Sequence, residues 1–143
     1  MRFALATALM LTLAGCSTVQ PVPIASGDEC VRCRRTIVEV RLAGEIVTTG
    51  STALKFRTVT CMAKYLNEHP DGVKAVFVTD YTTGRMLSAV NARFVRATID
   101  KATKERDYLA FRSLDAAIEA GAGTGATPVD WFKIRQLMEG TAN

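Results

Sequence analysis

Two stretches of this sequence answer each other 55 residues apart: Leu54-Lys-Phe56-Arg57-Thr58-Val59 and Leu109-Ala-Phe111-Arg112-Ser113-Leu114. In each, Leu-x-Phe alternates as a half-buried strand does. Thr58 or Ser113 then stands where a side-chain oxygen can accept from the first free N–H groups of a helix. At the same spacing Val40-Arg41 answers Val95-Arg96. The economical arrangement is two strand-strand-helix units that share one sheet or pack together. Cys61 falls opposite Ala116, so the first unit is expected to carry the chemistry and the second to be mainly scaffold.

The remaining elements fit that frame. Thr36–Leu42 and Ile46–Thr49 are rich in β-branched residues, and Ala43-Gly44-Glu45 turns between them, which predicts a hairpin. Ala53–Phe56 is a third strand. A helix over Val59–Glu68 places Val59, Met62, Ala63 and Leu66 on one face, and His69-Pro70-Asp71-Gly72 ends it. Lys74–Thr79, Met86–Ser88, Arg93–Ile99 and Tyr108–Phe111 read as strands. Ser113 or Asp115 caps a short helix to Ala120, Gly121–Gly125 is a flexible link, and a last helix spans about 128–139 with Gly140 beyond its end. The expected class is α+β: ββα-type units at about 30–70 and 75–121, followed by a C-terminal helix.

The first fifteen residues read as an export signal. Arg2 precedes an uncharged apolar run, Phe3–Leu13, too short for the ~20 residues a bilayer-spanning helix needs. Leu13-Ala14-Gly15-Cys16 follows and looks like the lipobox of bacterial lipoproteins, in which the cysteine thiol receives a diacylglycerol. Residues 1–15 are thus expected to be removed, leaving Cys16 as the lipid-bearing first residue. Residues 16–27, with Pro21 and Pro23, are expected to form a flexible tether, and 28–143 the domain. Ser17, rather than an acidic residue, after the cysteine resembles the sorting pattern for the outer membrane. The formal charge of +4 falls to about +3 without Arg2. It is scattered, apart from Arg32, Arg34 and Arg35, and an exported chain meets no nucleic acid.

With Cys16 given to lipid, Cys30, Cys33 and Cys61 remain, an odd number in an oxidising compartment. Either one disulfide forms and a buried cysteine is left over, or all three share a task such as holding a metal. Cys30-Val-Arg-Cys33 has the spacing of a metal knuckle or of a single disulfide. Cys61 lies in the first turn of the predicted helix, where unpaired N–H groups favour thiolate. Met62 or Met86 could add a thioether, although both also suit a core. Such soft donors select Cu(I), or Zn(II) where four ligands close a tetrahedron. His69, the only histidine, reads as a turn residue before Pro70, with a metal role as the lesser alternative. One histidine and no matched pair of carboxylates give no support to hydrolysis, so no enzyme activity is expected.

Together, Asp28-Glu-Cys-Val-Arg-Cys33, Lys55-Phe56 before Cys61-Met62-Ala-Lys-Tyr65-Leu66, and Val78-Thr-Asp80-Tyr81-Thr82-Thr83 resemble the NosL family of copper-binding lipoproteins. The resemblance implies two ββα-type units, similar to one domain of organomercurial lyase. It also implies a Cu(I)-carrying accessory role on the periplasmic face of the envelope, with nitrous oxide reductase or another periplasmic copper protein as partner. The family usually reads Cys-Gly-Met where this chain has Cys33-Arg34-Arg35, and Pro-Met-Gly where it has Lys104-Glu105-Arg106. Two methionines associated with copper are therefore missing, leaving Cys30, Cys33 and Cys61 as the expected ligands. The alternative is a disulfide-containing or zinc-stabilised interaction lipoprotein with no copper to deliver.

Overall fold

The computed structural model describes residues 18–140; the expected signal peptide and Cys16 lie outside the described residues. Four strands, β1 (Gly44–Thr48), β2 (Ala53–Phe56), β3 (Val73–Thr79) and β4 (Met86–Ser88), form an antiparallel sheet in the order β2-β1-β3-β4. β5 (Arg93–Thr98) and β6 (Arg106–Phe111) form a separate antiparallel ribbon. Helices α1 (Val59–Glu68), α2 (Leu114–Ala122) and α3 (Trp131–Glu139) complete the fold. Among the described residues no helix is long and apolar enough to cross a membrane.

Local chemistry sets each helix start. Thr58, Ser113 and Asp130 accept from the backbone N–H of Cys61, Ala116 and Lys133, satisfying donors that a first helical turn leaves free. The predicted face of α1 (Val59, Met62, Ala63 and Leu66) is buried in one core with Ile46, Phe56, Val78, Phe94, Trp131 and Ile134. Each large apolar side chain taken fully from water there contributes roughly 1.5–3 kcal/mol.

The predicted hairpin is displaced. Val40–Leu42 is a single 3₁₀ turn, because the Glu39 carboxylate accepts from the Arg41 N–H at 3.1 Å and bends the chain away from an extended path. The hairpin partner of β1 is β2, reached through a turn in which Ser51 takes φ 62°. Gly44, expected in a turn, begins β1 instead. A Cβ there would stand 2.8 Å from Met62 Sδ and 2.9 Å from the Phe77 carbonyl oxygen, so the close approach of helix to sheet requires glycine. The last helix starts at Trp131 rather than 128. Val129 is kept extended by exchanging N–H···O bonds with Phe94, both 2.8 Å, which leaves Pro128 outside the helix.

The tether is docked from residue 22 onward. The Val22 N–H donates to both carboxylate oxygens of Glu45, at 3.0 and 3.2 Å. Glu45 is fully buried, and burial pushes its pKa up, against the pull of the Val22 N–H and of Lys55. A buried carboxylate needs a donor, and the incoming chain provides one.

The internal echo is structural, and longer than the sequence match. The 3₁₀ turn Val40–Leu42, β1, β2 and α1 recur as the 3₁₀ turn Ala89–Asn91, β5, β6 and α2. Gly44 pairs with Phe56, and Arg93 pairs with Phe111. The spacing is therefore 49 residues at the start of the first strand and 55 at the end of the second, because the second hairpin is longer by two ladder pairs and by two residues in its turn. Val40-Arg41 is consequently not the equivalent of Val95-Arg96: the former pair lies in the 3₁₀ turn, the latter in β5.

Candidate metal centre

The knuckle is a turn closed on itself. The Cys30 N–H donates to the Arg35 carbonyl at 3.0 Å, the Arg34 N–H donates to the Cys30 carbonyl at 2.9 Å, and Arg34 takes the left-handed φ of 60°. The Val31 N–H donates to the Lys55 carbonyl at 2.9 Å, fastening the knuckle to β2. The same turn is built again before the second unit. There the Asp80 N–H donates to the Arg85 carbonyl and the Gly84 N–H to the Asp80 carbonyl, each at 2.8 Å, Gly84 has φ 72°, and the Tyr81 N–H donates to the Ala110 carbonyl at 2.7 Å. Asp80, Thr83 and Ala116 thus occupy the places of Cys30, Cys33 and Cys61. The second cradle is closed by its own hydrogen bonds: the Asp80 carboxylate accepts from the Thr83 hydroxyl at 2.6 Å and from the Arg112 N–H at 3.3 Å.

In the first cradle the three sulfurs converge, all within 4.8 Å of one another. Cys30 is fully buried, Cys33 and Cys61 are half-buried, and all three are free thiols. Cys61 is presented by the first turn of α1, which the ribbon of the second unit holds in place. The Asp107 carboxylate on β6 accepts from the Thr60 N–H at 3.0 Å, the Thr60 hydroxyl at 2.9 Å and the Tyr108 N–H at 2.8 Å. Among the described residues no other three His, Cys, Asp or Glu side chains converge in this way.

The cluster polarises itself. Cys61 donates its S–H to Cys30, and the peptide N–H groups of Cys33 and Arg57 add to that stabilisation, bringing the Cys30 pKa down to about 4 against the effect of burial. Cys61 moves the other way: its bond to Cys30, its burial and the neighbouring sulfur charges all favour the protonated thiol. Arginines surround the sulfurs. Burial works against the charge of Arg57, but Glu105 and the Cys33 sulfur outweigh it and keep the guanidinium firmly protonated. Arg32 is bound to Glu68 at 2.7 Å and also senses the charge of Cys61 and Cys30.

Three sulfurs bound about 2.3 Å from one ion stand about 4 Å apart in a plane. This cluster needs only a slight closure to reach that geometry. An all-sulfur trigonal set suits a soft monovalent ion, whereas tetrahedral Zn(II) would need a fourth donor. Met62 is fully buried in the core, with its thioether packed over Gly44. Met86 lies on β4, lining a cleft with Pro21, Pro23, Ile24 and Val40. His69 ends α1, its N–H bonded to the Tyr65 carbonyl and its ring stacked 4.3 Å from that of Tyr65. Asp107 carries no mark in the sequence, because it acts across the boundary between units, and Glu105 is marked only as standing in place of a family methionine. Arg57 stood in the repeated Phe-Arg pair, a signal that was available but pointed to the fold.

Residues 21–119 match the sequence model of the NosL family. The chain belongs to the NosL family. Its fold is also similar to the crystal structure of the copper chaperone NosL from Shewanella denitrificans, with a TM-score of 0.63 and 20% identity over 78% of this chain and 92% of that one. No curated protein matches the sequence. Against the NosL pattern, the two positions where methionines were missing prove to be neighbours: Arg35 Nη1 lies 3.9 Å from Glu105 Oε1. An ion pair stands where the resemblance placed two thioethers.

Proposed function

We propose that this NosL-family chain is a lipid-anchored carrier that holds one Cu(I) on Cys30, Cys33 and Cys61 at the periplasmic face of the envelope. It would serve as an accessory protein to a copper enzyme of the nitrous oxide reductase type, and not as an enzyme itself. The convergence of three free sulfurs within 4.8 Å carries this reading. The sulfurs offer soft donors and already share one ionised thiol, and soft donors favour Cu(I) over harder ions. The family and the fold likeness to a copper chaperone agree with that choice. Anchoring rests on the Leu13-Ala14-Gly15-Cys16 pattern, and the outer membrane is the proposed destination because Ser17 follows the lipidated cysteine.

The test is anaerobic reconstitution of the reduced protein with Cu(I) in competition with a chromophoric chelator. One Cu(I) per chain is expected, lost when all three cysteines are changed to serine. Failure of the wild-type protein to bind stoichiometric Cu(I), or unchanged binding by the triple variant, overturns the reading. Incorporation of labelled fatty acid in the native host, abolished by Cys16→Ser, tests the anchor separately.

A further inference from the structure

Arg57 differs from its repeat partner in one respect that the fold does not require. Arg112 is exposed, while the Arg57 side chain is 16% exposed and is turned in between the cysteine cradle and the second hairpin. Its guanidinium is ion-paired through Nη2 to Glu105, which ends the longer turn of the second hairpin just before β6. Its Nε is buried and has no protein hydrogen-bond partner. A buried donor left without a partner is destabilising, so its retention beside the sulfurs calls for a reason. The charge balance supplies one. Glu105 is shared between Arg57 and Arg35, so this trio keeps one net positive charge next to the thiols. Cu(I) on two thiolates carries a net charge of −1, and on three a net charge of −2. Concentrating the second negative charge in a half-buried site is unfavourable without a nearby cation.

Resting on the Cu(I) reading above, we propose that Arg57 is the counter-charge of the metal centre: a positioning residue that favours three-sulfur over two-sulfur binding, with Glu105 attenuating its effect. The guanidinium makes no bond to the ion. It lowers the electrostatic cost of bringing Cys61 in as the third ligand beside Cys30 and Cys33.

The proposal gives opposite signs to the two partners of one ion pair, which a scaffold role does not. Cu(I) affinity is measured by chelator competition, and sulfur coordination by copper X-ray absorption, on the wild-type protein and on Arg57→Gln, Arg57→Lys and Glu105→Gln. Arg57→Gln is expected to weaken Cu(I) binding at least about tenfold and to reduce the sulfur count from three to two. Arg57→Lys, which keeps the charge, is expected to stay within about threefold of wild type with three sulfurs. Glu105→Gln is expected to bind as tightly as wild type or more tightly, even though it breaks the same ion pair. If Glu105→Gln weakens binding as Arg57→Gln does, or if Arg57→Gln binds as wild type does with three sulfurs, the proposal is overturned. Should Arg57→Gln fail to fold, the lysine and glutamine variants decide the matter by the same criteria. A wild-type protein that binds no Cu(I) overturns the carrier reading itself, a distinguishable result.

Discussion

Replacing Asp107 by alanine tests whether the second unit positions the cysteine cradle of the first. The carboxylate is 4% exposed and accepts three hydrogen bonds, two of them from Thr60 in the first turn of α1. Hydrogen bonds to a charged acceptor contribute about 1.5–3 kcal/mol each, but a buried carboxylate gives much of that back as lost hydration. Removing it strands the Thr60 N–H and hydroxyl, and the net loss comes to about 2–4 kcal/mol. A domain of this size unfolds with an entropy of about 0.25 kcal/mol per degree, so Tm should fall by about 8–16 °C. Asp107→Asn keeps an acceptor and should lose about 1 kcal/mol. Asp130→Ala is the internal control. It removes an exposed helix cap of the same residue type, whose loss costs about 1 kcal/mol. Urea unfolding and thermal melting followed by far-ultraviolet circular dichroism read all three variants. If Asp107→Ala costs no more than Asp130→Ala, the claim that β6 anchors the α1 N-terminus is wrong.

Three further outcomes are expected. In metal-free reduced protein, thiolate absorbance near 240 nm should retain one thiolate down to about pH 4, and Cys30→Ser should abolish this acid-resistant fraction; persistence of the signal in that variant would assign the ionised sulfur elsewhere. Gly84→Ala should destabilise by about 1–2 kcal/mol, because φ of 72° is left-handed and nothing else obstructs a Cβ, whereas Arg34→Gly at φ 60° should be neutral or stabilising by up to about 1 kcal/mol. Glu45→Gln bears on pH dependence. The folded pKa of Glu45 lies above its unfolded value of about 4.3, so its ionisation costs stability as pH rises through that window, and the variant should gain on wild type from about pH 4 to neutrality. A wild type that gains on the variant over that range would reverse the assigned sign.

The parts of this fold that were legible in the sequence are those whose causes are local. Helix caps at Thr58 and Ser113 sit beside the turns they serve, and the α1 face repeats at helical spacing. Strands β3 and β6 each carry a continuous apolar run, Ala75–Val78 and Tyr108–Phe111. Val40 misled because its β-branched neighbourhood suits a strand, while the Glu39 side chain offers the backbone a competing bond. Gly44 misled because its role is set by Met62 and Phe77, distant in sequence. The three cysteines could be listed from the sequence, but their convergence depends on the Val31–Lys55 backbone bond and on Asp107. The repeat of the knuckle at Asp80–Arg85 was hidden because no side chain is shared except the final arginine. What recurs is a pattern of backbone hydrogen bonds, which leaves no mark on composition.

The three sulfurs are not equally reachable: Cys30 is sealed, while Cys33 and Cys61 stand at the rim. A centre built this way has a front and a back. A competing thiolate or thioether approaches from the open side and can displace a rim sulfur without first unseating the buried one. For an ion held there as proposed, release would run as a sequence of exchanges in which Cys30 lets go last. Loading would run the same path in reverse, so that what waits at the rim would decide whether the ion leaves.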